Sequence, residues 1–266
     1  MSANPKASVE PILLRSDHEG IVTLTLNRPA QFNSLSQAML TELQRVLDAI
    51  SPDKTARVIV IAGAGKAFCA GHDLKEMRAN REAGFIRALF DQCSKMMLTL
   101  TRMPQPVIAR VHGIATAAGC QLVSMCDLAV ASDEARFATS GINVGLFCAT
   151  PGVGLSRNVS RKHAMEMLLT GDFIDAHRAL EYGLVNRIVA ADQLDASVLQ
   201  LAQSIAAKTP VAVSAGKQMF YRQLELGFEQ AYALAAETMA CNMMADDAAE
   251  GVDAFIAKRP PVWKGS

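Results

Sequence analysis

PVIARVHGIATAAGCQLVSMCDLAVAS, residues 106–132, decides the fold class. PVIARVHG reads as a strand, the run that carries Gln121 as a helix, and DLAVAS as a second strand. Strands alternating with helices predict right-handed crossover units and an α/β body. The junction, HGIATAAGC (112–120), is built of small residues, which let a ligand atom come close to the main chain. The first polar side chain beyond it is Gln121. An amide can hydrogen-bond, but near neutral pH it neither gives nor takes a proton.

The neighbouring sequence extends this pattern. Residues 21–26 (IVTLTL) alternate as a strand does, and 37–50 carry a helical stripe of Met39, Leu40, Leu43, Val46, Leu47 and Ile50. VIVIA (58–62) suits a strand buried on both faces. The loop GAGKAFCAGHDL and a helix over about 84–101 follow. Phe85, Leu89, Cys93, Met96 and Leu100 on that helix suit an acyl pocket or plain packing.

From about residue 152 the pattern turns helical, with Asp175 as an N-cap and Gly183 as a stop. Helical runs 194–208, 211–226 and 228–242 are separated by Pro210 and Gly227. The reading is an α/β body followed by an all-helical tail. Methionines in the tail (Met219, Met239, Met243, Met244) fit core packing and also subunit contacts.

Composition excludes several classes. Lys+Arg and Asp+Glu balance at 26 each, which argues against a nucleic-acid surface. The six cysteines form no Cys-x-x-Cys pair, and reduced thiols are expected. The opening MSANPKASVEPILL has no apolar signal core, and no window has the ~18 apolar residues of a spanning helix. A cytoplasmic protein is the expectation. GAGKAF fails as a dinucleotide fingerprint at Phe68, and as a phosphate loop because Ala67 follows Lys66. There is no G-x-S-x-G or H-E-x-x-H, the five histidines are dispersed, and no metal site is expected.

Two small-residue stretches each follow an apolar strand: FCAGHDL (68–74) and HGIATAAGC. Where such a loop enters a helix, the first N–H groups are free and the dipole favours negative charge. Two converging N–H groups make an oxyanion hole, able to hold a thioester carbonyl as it becomes an enolate. The plainer alternative is a pair of tight turns forced by packing.

The chain resembles the crotonase (enoyl-CoA hydratase/isomerase) superfamily, closest to its "enoyl-CoA hydratase domain-containing" branch. Matching stretches are LNRPAQFNSLS, AFCAGHDLKEM, PVIARVHGIATAAGCQLVSMCDLAVASDEARFA, GLFCATPGVG, AMEMLLTGDFIDAHRALEYGLVNRIV and AFIAKRPPVW, in the family's order. The resemblance implies a ClpP-like spiral of β-β-α units over residues 1–200, and a helical C-terminal trimerisation region over 201–266. It also implies a homotrimer or hexamer. The ligand would be an acyl-CoA thioester, with no tightly bound cofactor. The N–H groups of His72 and Ala118 would hold the thioester oxygen. Ala70, Asp73 and Leu74 would meet adenine and pantetheine, and Arg28 and Phe32 would flank CoA. Phe255 and Lys258 would reach the nucleotide, often from a neighbouring subunit, although Lys258 also reads as a solvated helix end.

One departure bears on activity. Hydratases of the family use two glutamates; at the matching positions stand Gln121 and Gly141, and Ala149 stands where relatives carry a catalytic aspartate. Asp127 matches a structural aspartate. Cys148 and the His72 ring are alternative proton carriers; a small buried hydrophobe and a ring facing solvent or CoA are their plainer readings. Ordinary hydration is therefore expected to be slow or lost. Two functions remain: an acyl-CoA enzyme with a non-standard proton carrier, and a non-catalytic acyl-CoA binder or assembly partner.

Overall fold

The computed structural model describes residues 10–266. Its first half runs β1 (Leu13–His18), β2 (Ile21–Leu26), α1 (Gln37–Ile50), β3 (Val58–Gly63), β4 (Ala67–Cys69), α2 (Leu74–Ala79), α3 (Ala83–Arg102), β5 (Val107–Val111), β6 (Ile114–Thr116) and α4 (Ala118–Met125). Its second half runs β7 (Leu128–Ser132), β8 (Arg136–Ala138), α5 (Ala149–Asn158), α6 (Arg161–Thr170), β9 (Ile174–Asp175), α7 (Ala176–Glu181), β10 (Arg187–Val189), α8 (Leu194–Ala206), α9 (Pro210–Gln223), α10 (Phe228–Met243) and α11 (Asp246–Ile256).

A six-stranded sheet in the order β1-β2-β3-β5-β7-β10 forms the body, parallel from β2 onward. Both its faces are covered, so β3 is apolar throughout. Ile59 and Ile61 join α1, α3 and α4 in the main core. Val58 and Val60 turn the other way, onto Leu194, Val198 and Ala202 of α8. The stripe Leu89, Cys93, Met96 and Leu100 of α3 is buried in the main core, so packing accounts for it.

A smaller sheet, β4-β6-β8-β9, carries the two loops of interest. β4 and β6 are parallel neighbours, with Ala67 opposite Ile114 and Cys69 opposite Ala115. The chain therefore leaves both strands at the same edge, and residues 70–73 run beside 117–119. In open parallel sheets that carboxyl edge is where ligands bind.

The all-helical tail expected beyond residue 152 is corrected by two short strands. β9 pairs antiparallel with β8, and β10 joins β7 in the large sheet. Segments of two or three residues carry no readable period. The remaining helices are tied to the body by a buried ion pair. The Lys217 ammonium donates to Asp127 Oδ2 (2.6 Å), Leu100 O (2.6 Å) and Gln105 O (2.8 Å). Tyr221 donates to Asp127 Oδ1 at 2.8 Å, and Val107 N–H to Oδ2 at 2.6 Å. Beyond α11 the chain folds back: Lys264 and Gly265 N–H donate to Asp247, and Trp263 Nε1 to Ala207 O. No described helix is long and apolar enough to cross a membrane.

Candidate functional site

Two peptide N–H groups define the site. Gly71, with φ +89°, turns the first loop so that its carbonyl accepts from Leu35 N–H at 2.7 Å. Asp73 N–H reaches back to Leu35 O at 3.4 Å. The His72 N–H between them has no backbone acceptor among the described residues. In the second loop Ala117 N–H donates to Ala138 O, and Gln121 N–H to Ala117 O. Ala118 opens α4, so its N–H lacks a helical partner and has none elsewhere among the described residues.

The loops brace one another. A Cβ on Gly71 would lie 2.8 Å from Ala117 Cβ and 3.1 Å from Ala118 N. Gly119 packs on the Cys69 peptide, where a Cβ would lie 2.7 Å from its carbonyl carbon. Ala117 holds φ +51° and ψ −122°, a conformation that costs a side-chain-bearing residue about 1–3 kcal/mol. Each donor thus directly follows a residue of positive φ, which rotates its N–H out of the strand direction. Ala117→Gly is expected to raise stability by roughly 1 kcal/mol, the relief of strain exceeding the added unfolded-state entropy. A rise of a few degrees in the thermal midpoint checks this; a fall would show that the Ala117 methyl's contact with Gly71 matters more.

Gln121 lies on the first turn of α4 and is only 5% exposed. Its Oε1 is buried without a hydrogen-bond partner. The His72 ring stands edge-on to Phe90, with centroids 5.2 Å apart, and Nδ1 contacts Leu35 O at 3.3 Å. Burial pulls its pKa below the ordinary imidazole range, so the ring is neutral at pH 7. Because Leu35 O can only accept, Nδ1 carries the proton and Nε2, buried and unpartnered, keeps the lone pair.

Gly141 is crowded. A Cβ there would lie 2.6 Å from Leu146 O and 2.8 Å from Cys148 Sγ. Burial pushes the Cys148 thiol up, with the Gly141 N–H opposing, and leaves it protonated. Ala149 starts α5 and is exposed. The sequence did not single out Asn33, which is fully buried and donates to Ala64 O (2.8 Å) and Ala67 O (2.7 Å) at the entry to β4. The Thr116 and Ser140 hydroxyls, 2.7 Å apart, link the second loop to the 140–144 turn.

The other expected site residues divide into two groups. Arg28 and Asp73 form an ion pair at 3.1 Å, with Arg28 Nη1 donating to Ser34 O. Asp73 also caps α2 through the Lys75 and Glu76 N–H groups. Ala70 lies in the same loop, its N–H donating to Phe32 O, while the Phe32 and Leu74 side chains are exposed beside it. Phe255 and Lys258 stand apart: α11 packs on α10, and no hydrogen bond joins either residue to the 70–74 loop among the described residues. Within one chain the structure does not bring them to the site. No group of three His, Cys, Asp or Glu among the described residues could hold a metal ion.

Comparison with known proteins bears on both identity and location. The family model "Enoyl-CoA hydratase/isomerase" matches residues 16–266. A Xenopus laevis relative, "Enoyl-CoA hydratase domain-containing protein 3, mitochondrial", is 45% identical over 96% of this chain and 87% of its own. A Mycobacterium smegmatis structure titled enoyl-CoA hydratase superposes with a TM-score of 0.94 at 58% identity, over 96% of this chain and 99% of its own. The human structure of enoyl Coenzyme A hydratase domain-containing protein 3 gives a TM-score of 0.93 at 43% identity, over 95% of this chain and 100% of its own. The Xenopus relative's name overturns the cytoplasmic expectation. That expectation leaned on the first residues, of which 1–9 lie outside those described. By sequence and by fold alike, the chain belongs to the enoyl-CoA hydratase/isomerase, or crotonase, family, in the branch of the enoyl-CoA hydratase domain-containing proteins.

Proposed function

We propose that the site binds an acyl-CoA thioester, with the His72 and Ala118 N–H groups on its carbonyl oxygen as an oxyanion hole. The observation that carries this is the pair of unpartnered N–H groups on adjoining loops at the carboxyl edge of β4 and β6. Donors fixed before the ligand arrives stabilise a developing enolate without reorganisation. Arg28 and Asp73 hold the first loop in shape, and the exposed Phe32 and Leu74 offer apolar surface to pantetheine. Phe255 and Lys258 would act from a second copy. Phe228 (86% exposed), Tyr232, Met239 and Met243, all exposed, share one face of α10 at i, i+4, i+11 and i+15, and this bare apolar stripe supports a homo-oligomer.

Hydration by two carboxylates is not part of this reading. Gln121 cannot move a proton, and Gly141 has no room for a side chain. Each positioned acid or base is worth roughly 10²–10⁴ in rate. The expected result is calorimetric binding of butyryl-CoA with no fast loss of conjugated-thioester absorbance from crotonyl-CoA. Gln121→Glu combined with Gly141→Glu should not restore hydration, because the second side chain meets Leu146 O and Cys148 Sγ. No binding of any acyl-CoA would overturn the proposal. Rapid hydration by the unmodified protein would overturn its account of the missing carboxylates.

A further inference from the structure

α11 ends in a double reversal: Lys258 N–H donates to Phe255 O at 3.2 Å, and Arg259 N–H to Ala254 O at 3.0 Å. In this Schellman arrangement the residue just beyond the cap takes a left-handed backbone and is usually glycine. α7 ends in the same pattern. Gly183 N–H donates to Leu180 O, Leu184 N–H donates to Ala179 O, and Gly183 has φ +84°. α6 also stops at a left-handed glycine, Gly171. After α11 the residue in that place is Lys258, at φ +54°. A side chain there is strained, and stopping the helix does not require one. Charge compensation does not require it either, since a lysine at 256 or 257 would meet the last carbonyls from ordinary helical backbone. Strain that the fold does not need points to a use for the side chain.

The turn is held from outside. Arg259 donates to Glu250 through both Nη atoms, at 2.6 and 2.8 Å, and Val262 N–H reaches the same carboxylate at 2.8 Å. A bidentate pair fixes direction as well as distance. Arg259 keeps the Glu250 carboxyl down at about 2, so the pair stays charged near neutral pH. Asp247, Glu250, Gly251 and Ala254 share one face of α11. The returning chain lies on that face: Lys264 and Gly265 N–H donate to Asp247, and a Cβ on Gly251 would lie 3.2 Å from the Trp263 ring. Lys258 is therefore fixed by α11 before it and by this strap after it. Of the two adjacent cations Arg259 is engaged, while Lys258 is exposed beside the exposed Phe255 ring. We infer that Glu250 and Arg259 are positioning residues: their ion pair holds the left-handed turn that aims the Lys258 ammonium, from a neighbouring copy, at a phosphate of the bound acyl-CoA. The role rests on the acyl-CoA site of Proposed function. It adds a contact ordered before the ligand arrives, which lowers the entropy lost on binding.

The test measures calorimetric binding of butyryl-CoA and of butyryl-pantetheine, which lacks the phosphates, to the full chain, beside thermal melts. Lys258→Gly should weaken butyryl-CoA binding about tenfold, the loss of one charge-assisted contact, and raise the thermal midpoint by a few degrees as strain is relieved. Lys258→Asn, which tolerates the same backbone without the charge, should lose as much affinity. Glu250→Gln should weaken butyryl-CoA binding about fivefold, leave butyryl-pantetheine unchanged and add nothing in the Lys258→Gly background. Unchanged butyryl-CoA affinity in Lys258→Gly and Lys258→Asn would overturn the use of Lys258. For Glu250→Gln, no loss, a loss that persists without Lys258, or one that extends to butyryl-pantetheine would overturn the positioning role. Failure of the unmodified protein to bind either thioester would instead remove the acyl-CoA reading itself.

Discussion

Gly119→Ala is expected to lower acyl-CoA affinity about 100-fold or more and to cut the thermal midpoint by several degrees. A Cβ at this position would press into the Cys69 peptide, 2.7 Å from its carbonyl carbon and 2.9 Å from its Cβ. The obstruction is mainly backbone, fixed by the pairing of β4 with β6, so no rotamer change relieves it. Overpacking of this kind typically costs 1–3 kcal/mol, and for a chain of this size each kcal/mol moves the midpoint by roughly 2–4 °C. Relief comes only from parting the two loops, which pulls Ala118 N–H away from His72 N–H. Binding should therefore fall more than stability. Calorimetry on butyryl-CoA beside a thermal melt separates the two, and an affinity within threefold of the unmodified protein would show that the loops do not depend on one another.

Asp127→Ala carries the largest expected cost in stability, about 3–5 kcal/mol, the usual penalty for stranding one member of a buried ion pair. Burial pushes the Lys217 ammonium toward its neutral form, and the Asp127 charge is the strongest effect opposing that. Without it the cation would face two carbonyl oxygens, Leu100 and Gln105, and no anion. Tyr221 and Val107 N–H would lose their acceptor in the same step. Asp127→Ala with Lys217→Met should recover part of the loss by removing the orphaned charge. Urea unfolding midpoints measure both, and a single-variant loss below about 1 kcal/mol would mean that α9 is held by other contacts.

Most of this architecture was legible because the decisive segments are long or chemically marked. α1 occupies residues 37–50 as its stripe predicted, and Asp175 caps α7 by accepting from Arg178 N–H. β4, β6, β8, β9 and β10 were missed individually, each being only two or three residues long, with partners set by tertiary packing. Within the site, glycines beside small residues signalled close backbone approach, and Gly71 and Gly119 both show it. The positive φ of Ala117 was hidden, since alanine gives no sign that it occupies a glycine-like conformation. The resemblance named Arg28 and Asp73 singly, but not as partners, because 45 residues separate them. The crowding at Gly141 depends on where Leu146 and Cys148 fold back, which a linear pattern cannot convey.

That crowding also limits what position 141 can become. A glutamine can become glutamate by one nucleotide change, so position 121 is open to a carboxylate. At 141 a newly acquired side chain meets Leu146 O and Cys148 Sγ at once, and is penalised before any catalytic benefit can arise. The 146–148 segment would have to be rebuilt first, by changes that bring no advantage until a carboxylate is in place. Selection acting one mutation at a time therefore finds no short way to one, and novel chemistry at this scaffold is better sought from the glycine as it stands.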